Sequence, residues 1–319
     1  MRSGQRLAVV SGLTALAASA AASATVAPEQ RPQTGSHVEP PGAAPQAMYA
    51  ARTTHDRIGR IVAPVMLNGH GPFGFVIDTG ATHAAISVRT AQALNLGTQP
   101  EHTVILNGVT GSESVATVQV ARLQVGELVL ENQRMPVLGS VMANADGILG
   151  VEGFADKRIL VDFAHDRVEI TRSRGERAER GFITVPARTR LGGLLVVDAL
   201  IGRMPLKAVI DTGSQGTLGT EVLASTLGIK ADPRRQPDEV SGATSPIQQG
   251  HTALLPRVSV EGMVITNVDV TFGDIYIFRL WELDRQPAIV IGMDVLGQLD
   301  TLIIDYRLRE LQLRFPERH

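Results

Sequence analysis

The chain of 319 residues contains no cysteine. This absence excludes disulfide bonds, a thiol nucleophile and thiolate ligands for a metal ion. Aromatic residues are also scarce, at 4% of the chain, whereas apolar residues make up 44% and charged residues 19%. Such a balance is typical of a globular protein whose core is mostly aliphatic. The length suggests about two domains.

The chain also lacks a strong charge imbalance. Its formal net charge is −2, which gives no reason to expect a nucleic-acid partner. The eight histidines are scattered without a metal-ligand spacing. The sequence shows neither a phosphate-binding glycine loop nor a nucleophilic serine motif. We therefore expect no cofactor and no metal site.

The segment 1–24 has the pattern of a secretory signal peptide. Arg2 and Arg6 precede an Ala-rich apolar run, and Ala22-Ser23-Ala24 is a small-x-small cleavage site. The run is shorter than a membrane-spanning helix needs, so we expect no stable membrane insertion after cleavage. We predict a periplasmic or secreted bacterial protein. Residues 25–54 are rich in Pro, Gly and Ala and are predicted to form a linker or a short pro-segment.

The remaining sequence contains an internal repeat. Ala63–Ser87 and Val197–Gly219 each show an apolar strand, a glycine-containing turn, a second apolar strand and then Asp-Thr-Gly. Helical stretches ending before glycine follow at Val88–Leu96 and Thr220–Leu227. The Asp-Thr-Gly turns therefore stand at matching positions of the two copies.

Later segments of the two copies match as well. The pairs are Leu123–Leu138 with Val258–Phe272, and Asp146–Ile170 with Ala288–Leu313. The sequence therefore predicts a mainly β protein with two homologous β-barrel lobes, a few short helices and a pseudo-twofold relation. We place the N-terminal lobe at 55–171, a linker at 172–181 and the C-terminal lobe at 182–319.

The repeated turn carries the chemistry. Asp78 and Asp211 each follow three apolar residues, which places a carboxylate at the end of a buried strand. Two carboxyl groups within hydrogen-bonding reach cannot both ionise cheaply, so one keeps a proton. The ionised partner can deprotonate a water molecule, and the protonated partner can donate to a carbonyl oxygen. One tripeptide alone marks a turn, but two at matching positions of a repeat indicate a paired site.

These motifs resemble the retropepsin-like aspartic peptidases, the clan that includes pepsin. The resemblance covers most of residues 55–319 and includes the apolar-apolar-Gly elements at 148–150 and 290–292. It implies that Asp78 and Asp211 are catalytic. The supporting turn residues would be Thr79, Gly80, Ala81, Thr212, Gly213 and Ser214. The family's flaps map onto Leu106–Ser112 and Val240–Ser245, where substrate-binding positions would be Asn107, Gly108, Val109, Gly111, Ser241 and Gly242.

The two halves differ, and they also differ from pepsin. Neither flap contains tyrosine, which favours restricted cleavage over broad digestion. Ser214 stands where the first copy has Ala81. We hypothesise that the Ser214 hydroxyl bonds the outer oxygen of Asp211, so that Asp211 ionises more readily than Asp78. His83 follows shortly after Gly80, and we interpret it as a turn residue rather than a substrate contact.

The second half carries an additional segment between Gly273 and Pro287. It includes Tyr276, Phe278 and Trp281, a quarter of the twelve aromatic residues in the chain. Plain packing, an apolar substrate subsite that includes Trp281, and a contact to another protomer are the alternatives.

The sequence thus predicts an exported aspartic endopeptidase that hydrolyses peptide bonds of a peptide or protein substrate. The alternatives are a peptide-binding module of the same fold with little or no hydrolysis, and a related hydrolase with one narrow substrate. We expect the lobes to pair in cis. A homo-oligomer, or exchange of lobes between chains, is left open by the sequence.

Overall fold

The computed structural model describes residues 8–9, 50–52, 54–55, 59–125, 128–139, 145–255 and 257–316. The predicted signal peptide lies outside the described residues except at 8–9, and the predicted linker except at 50–52 and 54. In these ranges, no helix has both the length and the apolar character that crossing a membrane requires.

The first half contains twelve strands and one helix within the described ranges. They are β1 (Ala8–Val9), β2 (Ala50–Arg52), β3 (Thr54–His55), β4 (Ile61–Leu67), β5 (His70–Ile77), β6 (Ala85–Ser87), α1 (Val88–Ala93), β7 (Gln99–Asn107), β8 (Ser112–Val125), β9 (Leu128–Leu138), β10 (Gly147–Leu149), β11 (Lys157–Asp162) and β12 (Arg167–Arg172).

The second half continues with thirteen strands and three short helices in the part of the chain that is described. They are β13 (Ile183–Pro186), β14 (Arg188–Arg190), β15 (Leu194–Ile201), β16 (Met204–Ile210), β17 (Thr217–Thr220), α2 (Glu221–Thr226), β18 (Asp238–Ser241), β19 (Gln248–Leu255), β20 (Val258–Val260), β21 (Met263–Ile265), β22 (Val268–Gly273), α3 (Tyr276–Leu280), β23 (Ala288–Ile291), α4 (Met293–Leu296), β24 (Thr301–Asp305) and β25 (Glu310–Arg314).

The N-terminal lobe is built on an eight-stranded sheet in the order β3-β4-β5-β10-β6-β9-β8-β7. Alternate residues of β4 are buried, from Ile61 to Leu67, because successive side chains of a strand point to opposite faces. β4 pairs with β5 and also with β8, which curls the sheet back on itself. β10 lies parallel to β5, beside the strand that ends at Asp78.

The C-terminal lobe repeats this plan in an eleven-stranded sheet. Its order is β1-β18-β19-β22-β17-β23-β16-β15-β20-β21, with β14 paired to β15. β15 pairs with both β16 and β20, as β4 pairs with β5 and β8. β23 lies parallel to β16, beside the strand that ends at Asp211. The predicted mainly β architecture with two similar lobes is therefore confirmed.

A third sheet joins the lobes, in the order β13-β25-β24-β11-β12-β2. Its central pair consists of β11 from the first half and β24 from the second half, which run antiparallel. Leu160 pairs with Ile303, its own equivalent in the second copy of the repeat. Equivalent residues can pair in this way only if a local twofold axis passes between them.

The helices are shorter than predicted. α1 ends at Ala93 and α2 at Thr226, although the sequence predicts continuation to Leu96 and Leu227. The first chain reversal uses Asn95, which has a φ of 50°, before Gly97 is reached. Asparagine adopts this left-handed conformation more easily than most residues, so the helix ends early.

Candidate active site

The two Asp-Thr-Gly turns occupy matching places at the lobe interface. The backbone N–H of Asp78 donates to the carbonyl oxygen of Leu149 at 3.1 Å, and that of Asp211 donates to Ile291 at 3.1 Å. Each turn is therefore anchored by the apolar-apolar-Gly element of its own lobe. Both aspartates are fully buried.

Two threonines lock the turns together. The Thr79 hydroxyl donates to the carbonyl oxygen of Ile210 at 2.7 Å and accepts from the N–H of Thr212 at 3.0 Å. The Thr212 hydroxyl donates to the carbonyl oxygen of Ile77 at 2.7 Å and accepts from the N–H of Thr79 at 3.2 Å. All four hydrogen bonds are buried and cross the interface, which stabilises one relative position of the two carboxyl groups.

Gly80 and Gly213 allow the carboxyl groups to approach the opposite turn. A Cβ atom added to Gly213 would overlap the carboxyl group of Asp78, and one added to Gly80 would lie 2.6 Å from Oδ2 of Asp211. Any side chain at either position would push the opposite aspartate out of place. The glycines are thus required by the close approach of the lobes.

The two oxygens of each carboxyl group, Oδ1 and Oδ2, have different surroundings. Oδ1 of Asp78 accepts from the N–H of Gly80, and Oδ1 of Asp211 accepts from the N–H groups of Gly213 and Ser214. Each Oδ2 is buried and has no hydrogen-bond partner among the described residues. The two Oδ2 atoms are therefore the ones left to interact with a bound molecule.

Burial is the main reason why both carboxyl groups hold a proton more tightly than usual. Burial, the charge of Asp211 and hydrogen bonding to the Asp211 carboxyl group raise the pKa of Asp78 well above its ordinary value. Burial also raises the pKa of Asp211 to about 6, although the bonds from Gly213, Asp78 and Ser214 lower it. Asp211 is therefore the member of the pair that ionises first as the pH rises.

The predicted bond from the Ser214 hydroxyl to Asp211 is wrong. That hydroxyl donates to the carbonyl oxygen of Gly216 at 2.6 Å. Ser214 reaches Asp211 through its backbone N–H, at 3.2 Å from Oδ1. Ala81 occupies the corresponding position in the other turn and is buried among apolar residues. One source of the asymmetry of the pair is therefore the backbone N–H of Ser214, which any residue except proline could supply.

The two predicted flaps, flap 1 (Leu106–Ser112) and flap 2 (Val240–Ser245), meet over the aspartates. Their tips at 108–111 and 242–244 are buried, although they lie in hairpin turns. Cβ atoms added to Gly108 and Gly111 would lie 2.6 Å from Thr244 and 2.9 Å from Pro246. These glycines therefore permit close contact between the flaps.

Hydrogen bonds join the flaps in a nearly symmetric pattern. The Thr110 hydroxyl donates to the carbonyl oxygen of Pro246 at 2.6 Å, and the Thr244 hydroxyl donates to that of Gly111 at 3.3 Å. At the outer edge, the N–H and hydroxyl of Ser245 donate to Oε2 of Glu113 at 2.9 and 2.8 Å. These contacts describe a closed arrangement in which solvent does not reach either aspartate.

The aromatic segment of the second half supports flap 1. It forms α3, whose Ile277 N–H donates to the carbonyl oxygen of Val109 at 2.9 Å. The Tyr276 hydroxyl donates to Oδ1 of Asn107 at 2.9 Å. Phe278 and Trp281 are buried in the same apolar cluster as Val109. Ser241 and Gly242, the flap 2 positions predicted to bind substrate, lie at the end of β18 and in the buried tip that follows.

Arg60 is a site residue that the sequence reasoning missed. Its side chain is 1% exposed, and its positive charge lowers the pKa of both aspartates. The equivalent position in the second copy of the repeat is Leu194. A charged residue at a position where the other copy has an apolar one was the signal that the sequence offered.

Tyr306 was also missed. Its hydroxyl is buried without a hydrogen-bond partner in the described chain, and burial and the charge of Asp78 raise its pKa.

The other titratable groups near the repeat elements have partners of their own. His83 lies 2.8 Å from Glu152, and this hydrogen bond raises the pKa of the histidine. Asp146 accepts from Gly74, Asp294 from Thr217 and Asp305 from Ser173, while Asp162 pairs with His165. Among the described residues, no group of three His, Cys, Asp or Glu side chains could hold a metal ion.

Two duplicated β lobes, with a buried aspartate pair at their interface and two flaps above it, define the architecture of a two-lobed aspartic protease. A family model described as Aspartyl protease matches residues 63–152 and 197–295. Together these regions cover more than half of the chain, so the chain belongs to the aspartyl protease family, with two tandem lobes. The predicted family is confirmed. No curated protein matches the chain in a sequence search.

Proposed function

We propose that the protein is an exported aspartic endopeptidase in which Asp78 and Asp211 act together on a water molecule. The observation that carries this proposal is the close approach of two fully buried carboxyl groups, which Thr79 and Thr212 hold together and whose pKa values are unequal. Membership of the aspartyl protease family supports a protease in general. The assignment of roles to the two aspartates rests on their surroundings.

The proposed mechanism starts with Asp211 ionised and Asp78 protonated. Asp211 takes a proton from water while the water oxygen bonds to the peptide carbonyl carbon, and Asp78 gives its proton to the carbonyl oxygen. In the tetrahedral intermediate, Asp211 returns its proton to the amide nitrogen, and Asp78 recovers one from a hydroxyl as the C–N bond breaks. Both aspartates end as they began, and no covalent enzyme intermediate forms.

The closed flaps impose an additional step. Both aspartates are fully buried under the flap contacts, so a peptide can reach them only after the flaps separate. An extended peptide would then lie between the lobes and the flaps, where strand-like backbone hydrogen bonds are available. We expect flap movement to limit which substrates enter, which favours restricted cleavage.

Digestion of a peptide library, analysed by mass spectrometry, tests the proposal. The wild-type protein should cleave, and Asp78→Asn and Asp211→Asn should each reduce kcat by at least about a thousandfold, as expected for loss of a general acid or base. Asp162→Asn is the matched control, because this aspartate pairs with His165. If wild type cleaves nothing at any pH but binds peptides, the peptide-binding function replaces the proposal.

Export to the periplasm or secretion is a separate part of the proposal and rests on the N-terminal sequence. The mass of the protein purified from its native host tests it directly. We expect a mature chain that starts at Thr25, after the Ala22-Ser23-Ala24 site. A purified chain that still begins at Met1 would contradict signal cleavage.

A further inference from the structure

The two flap tips carry apolar residues at equivalent positions. Gly108-Val109-Thr110 in flap 1 matches Gly242-Ala243-Thr244 in flap 2. Val109 is 0% exposed and Ala243 is 5% exposed. An apolar residue at the tip of a hairpin is normally on the surface, so complete burial here needs a specific partner surface.

Each tip residue is buried by the opposite lobe. Val109 of flap 1 belongs to an apolar cluster built from the C-terminal lobe, here named the lobe-2 cluster, whose other members include Val196, Val209 and Trp281. Ala243 of flap 2 belongs to a cluster built from the N-terminal lobe, here named the lobe-1 cluster, with Val76, Ala81 and Ala85 among its members. Each flap thus packs its tip side chain into the opposite lobe, across the pseudo-twofold axis.

Both clusters border the aspartate pair. Val209 lies two residues before Asp211 on β16, and Val76 lies two residues before Asp78 on β5. In a strand, residues two apart share a face, so each cluster lines the wall that leads to one catalytic turn. A peptide bond held at the aspartates would place its two flanking side chains against these walls.

We propose that Val109 and Ala243 occupy the two side-chain subsites that flank the scissile bond, and that these subsites accept one large apolar residue and one small residue. This inference rests on the proposed function, since it names the substrate class of the same site. The large residue enters the lobe-2 cluster in place of Val109. The small residue enters the lobe-1 cluster in place of Ala243.

The difference in size follows from the tip residue that each cluster encloses, Val109 in the lobe-2 cluster and Ala243 in the lobe-1 cluster. The lobe-2 cluster includes Ile275, Ile277, Phe278, Trp281 and Leu283 from the segment that the first half lacks. Aromatic side chains bury a large area and form wide apolar surfaces. The lobe-1 cluster has only aliphatic members and, besides Ala243, holds three alanines at Ala81, Ala85 and Ala145. Withdrawal of Val109 therefore vacates a larger apolar volume in the lobe-2 cluster than withdrawal of Ala243 vacates in the lobe-1 cluster, because valine is the larger side chain.

Flap 1 is also tied to the wall that would receive the large residue. The bonds from Ile277 to Val109 and from Tyr276 to Asn107 connect α3 directly to this flap. Lifting flap 1 breaks both bonds and frees the N–H of Ile277. This N–H can then donate to a carbonyl oxygen of the substrate. The same movement removes Val109 from the lobe-2 cluster and so opens the subsite in that cluster.

Peptides with a reduced, non-hydrolysable central bond test this inference without requiring cleavage. Four hexapeptides would carry Leu-Ala, Ala-Leu, Ala-Ala or Leu-Leu around that bond. Because one subsite is large and the other small, one of the two mixed peptides should bind at least about tenfold more tightly than the other. Equal affinity of the two mixed peptides would overturn the asymmetry.

Trp281 is the only tryptophan in the chain, so its fluorescence reports on the lobe-2 cluster. Binding of the tighter mixed peptide should shift its emission, and Ala-Ala should shift it less. Val109→Ala should tighten peptide binding by about tenfold, since the flap loses two buried methyl groups that compete for the subsite. Val264→Ala, at an exposed position, is the matched control and should change nothing.

The outcomes separate the two proposals. If the protein cleaves no library peptide but the binding pattern appears, the endopeptidase proposal fails and the subsite assignment holds. If it cleaves, yet peptides bind without moving Trp281 fluorescence or Val109→Ala behaves like Val264→Ala, the subsite assignment fails. Cleavage sites that lack a large apolar residue beside the scissile bond would also contradict it.

Discussion

Thr79 and Thr212 each donate a hydroxyl hydrogen bond to the opposite turn, to the backbone carbonyl of the residue that precedes the aspartate there. The acceptors are Ile210 and Ile77, both at 2.7 Å. Each hydroxyl also accepts the backbone N–H of the opposite threonine. Four buried hydrogen bonds therefore depend on two side chains that belong to different halves of the chain.

Thr79→Val should lower the free energy of unfolding by about 2 to 6 kcal/mol. It leaves the carbonyl of Ile210 and the N–H of Thr212 buried without partners, and each such loss costs about 1–3 kcal/mol. Thr79→Ser keeps the hydroxyl and should cost less. Urea denaturation measures both. Equal destabilisation by valine and serine would show that packing of the methyl group, and not the hydrogen bonds, holds the turns.

The pH profile of peptide hydrolysis should be bell-shaped. The active form needs Asp211 ionised and Asp78 protonated, so kcat/KM should fall below about pH 6, where Asp211 takes up a proton. It should fall again at higher pH, where Asp78 loses its proton. A profile measured with one cleavable peptide checks this. An optimum near pH 3 would contradict the raised pKa values.

The same pair should make folding stability depend on pH. A carboxyl group whose pKa is raised on folding contributes its full stability below its unfolded pKa and loses it as the pH rises through the folded pKa. For Asp211 this loss runs from about pH 4 to above about pH 6. Asp211→Asn should therefore be more stable than wild type at pH 8, by on the order of 2 kcal/mol. The difference should vanish near pH 3.5, as thermal unfolding at both pH values would show.

Arg60→Met should shift the acidic limb of the pH profile to higher pH. The buried guanidinium lowers the pKa of both aspartates, so its removal lets each hold its proton more tightly. We expect a shift of about one pH unit, the scale of one charge several Å away at an effective dielectric constant of about 20. Arg89→Met is the control, since Arg89 is largely exposed and pairs with Asp146. An unmoved acidic limb would remove Arg60 from the electrostatics of the site.

Ser245→Ala and Glu113→Gln should loosen the contact between the flaps. Bonds from the N–H and hydroxyl of Ser245 lower the pKa of Glu113, so this contact is complete above its ordinary pKa of 4.5 and weakens in acid. Protection factors of the amides at 105–113 and 240–247, which correct the exchange rates for their intrinsic pH dependence, should decrease in both variants and in wild type at low pH. Glu131→Gln, in an exposed pair with Arg122, is the control. Unchanged exchange would assign flap closure to Thr110 and Thr244 alone.

The sequence alone determined the mainly β fold, the duplication and the two aspartates. These features are local and repeated: an apolar strand before Asp-Thr-Gly and an apolar-apolar-Gly element recur at matching positions. Strand alternation and turn glycines act within a few residues, so they can be read from a linear pattern. The recurrence itself implied that Asp78 and Asp211 meet.

Tertiary structure alone decided how the two lobes meet in detail. The sequence placed the Ser214 hydroxyl on Asp211, but the fold turns it to Gly216 and brings the backbone N–H of Ser214 instead. The repeat shows only that Arg60 stands where the second copy has Leu194, and the fold alone buries Arg60 within electrostatic reach of both aspartates. Side-chain direction at a turn depends on backbone angles and neighbours that residue type does not specify.

The flaps show the same division. Their glycines and their positions in the repeat could be predicted, but the burial of Val109 by the C-terminal lobe and of Ala243 by the N-terminal lobe could not. That exchange depends on the pseudo-twofold packing, which brings together residues from the two copies of the repeat that are far apart in the sequence. The sequence thus determined which groups perform the chemistry, while the packing of the lobes determined what surrounds those groups and what covers them.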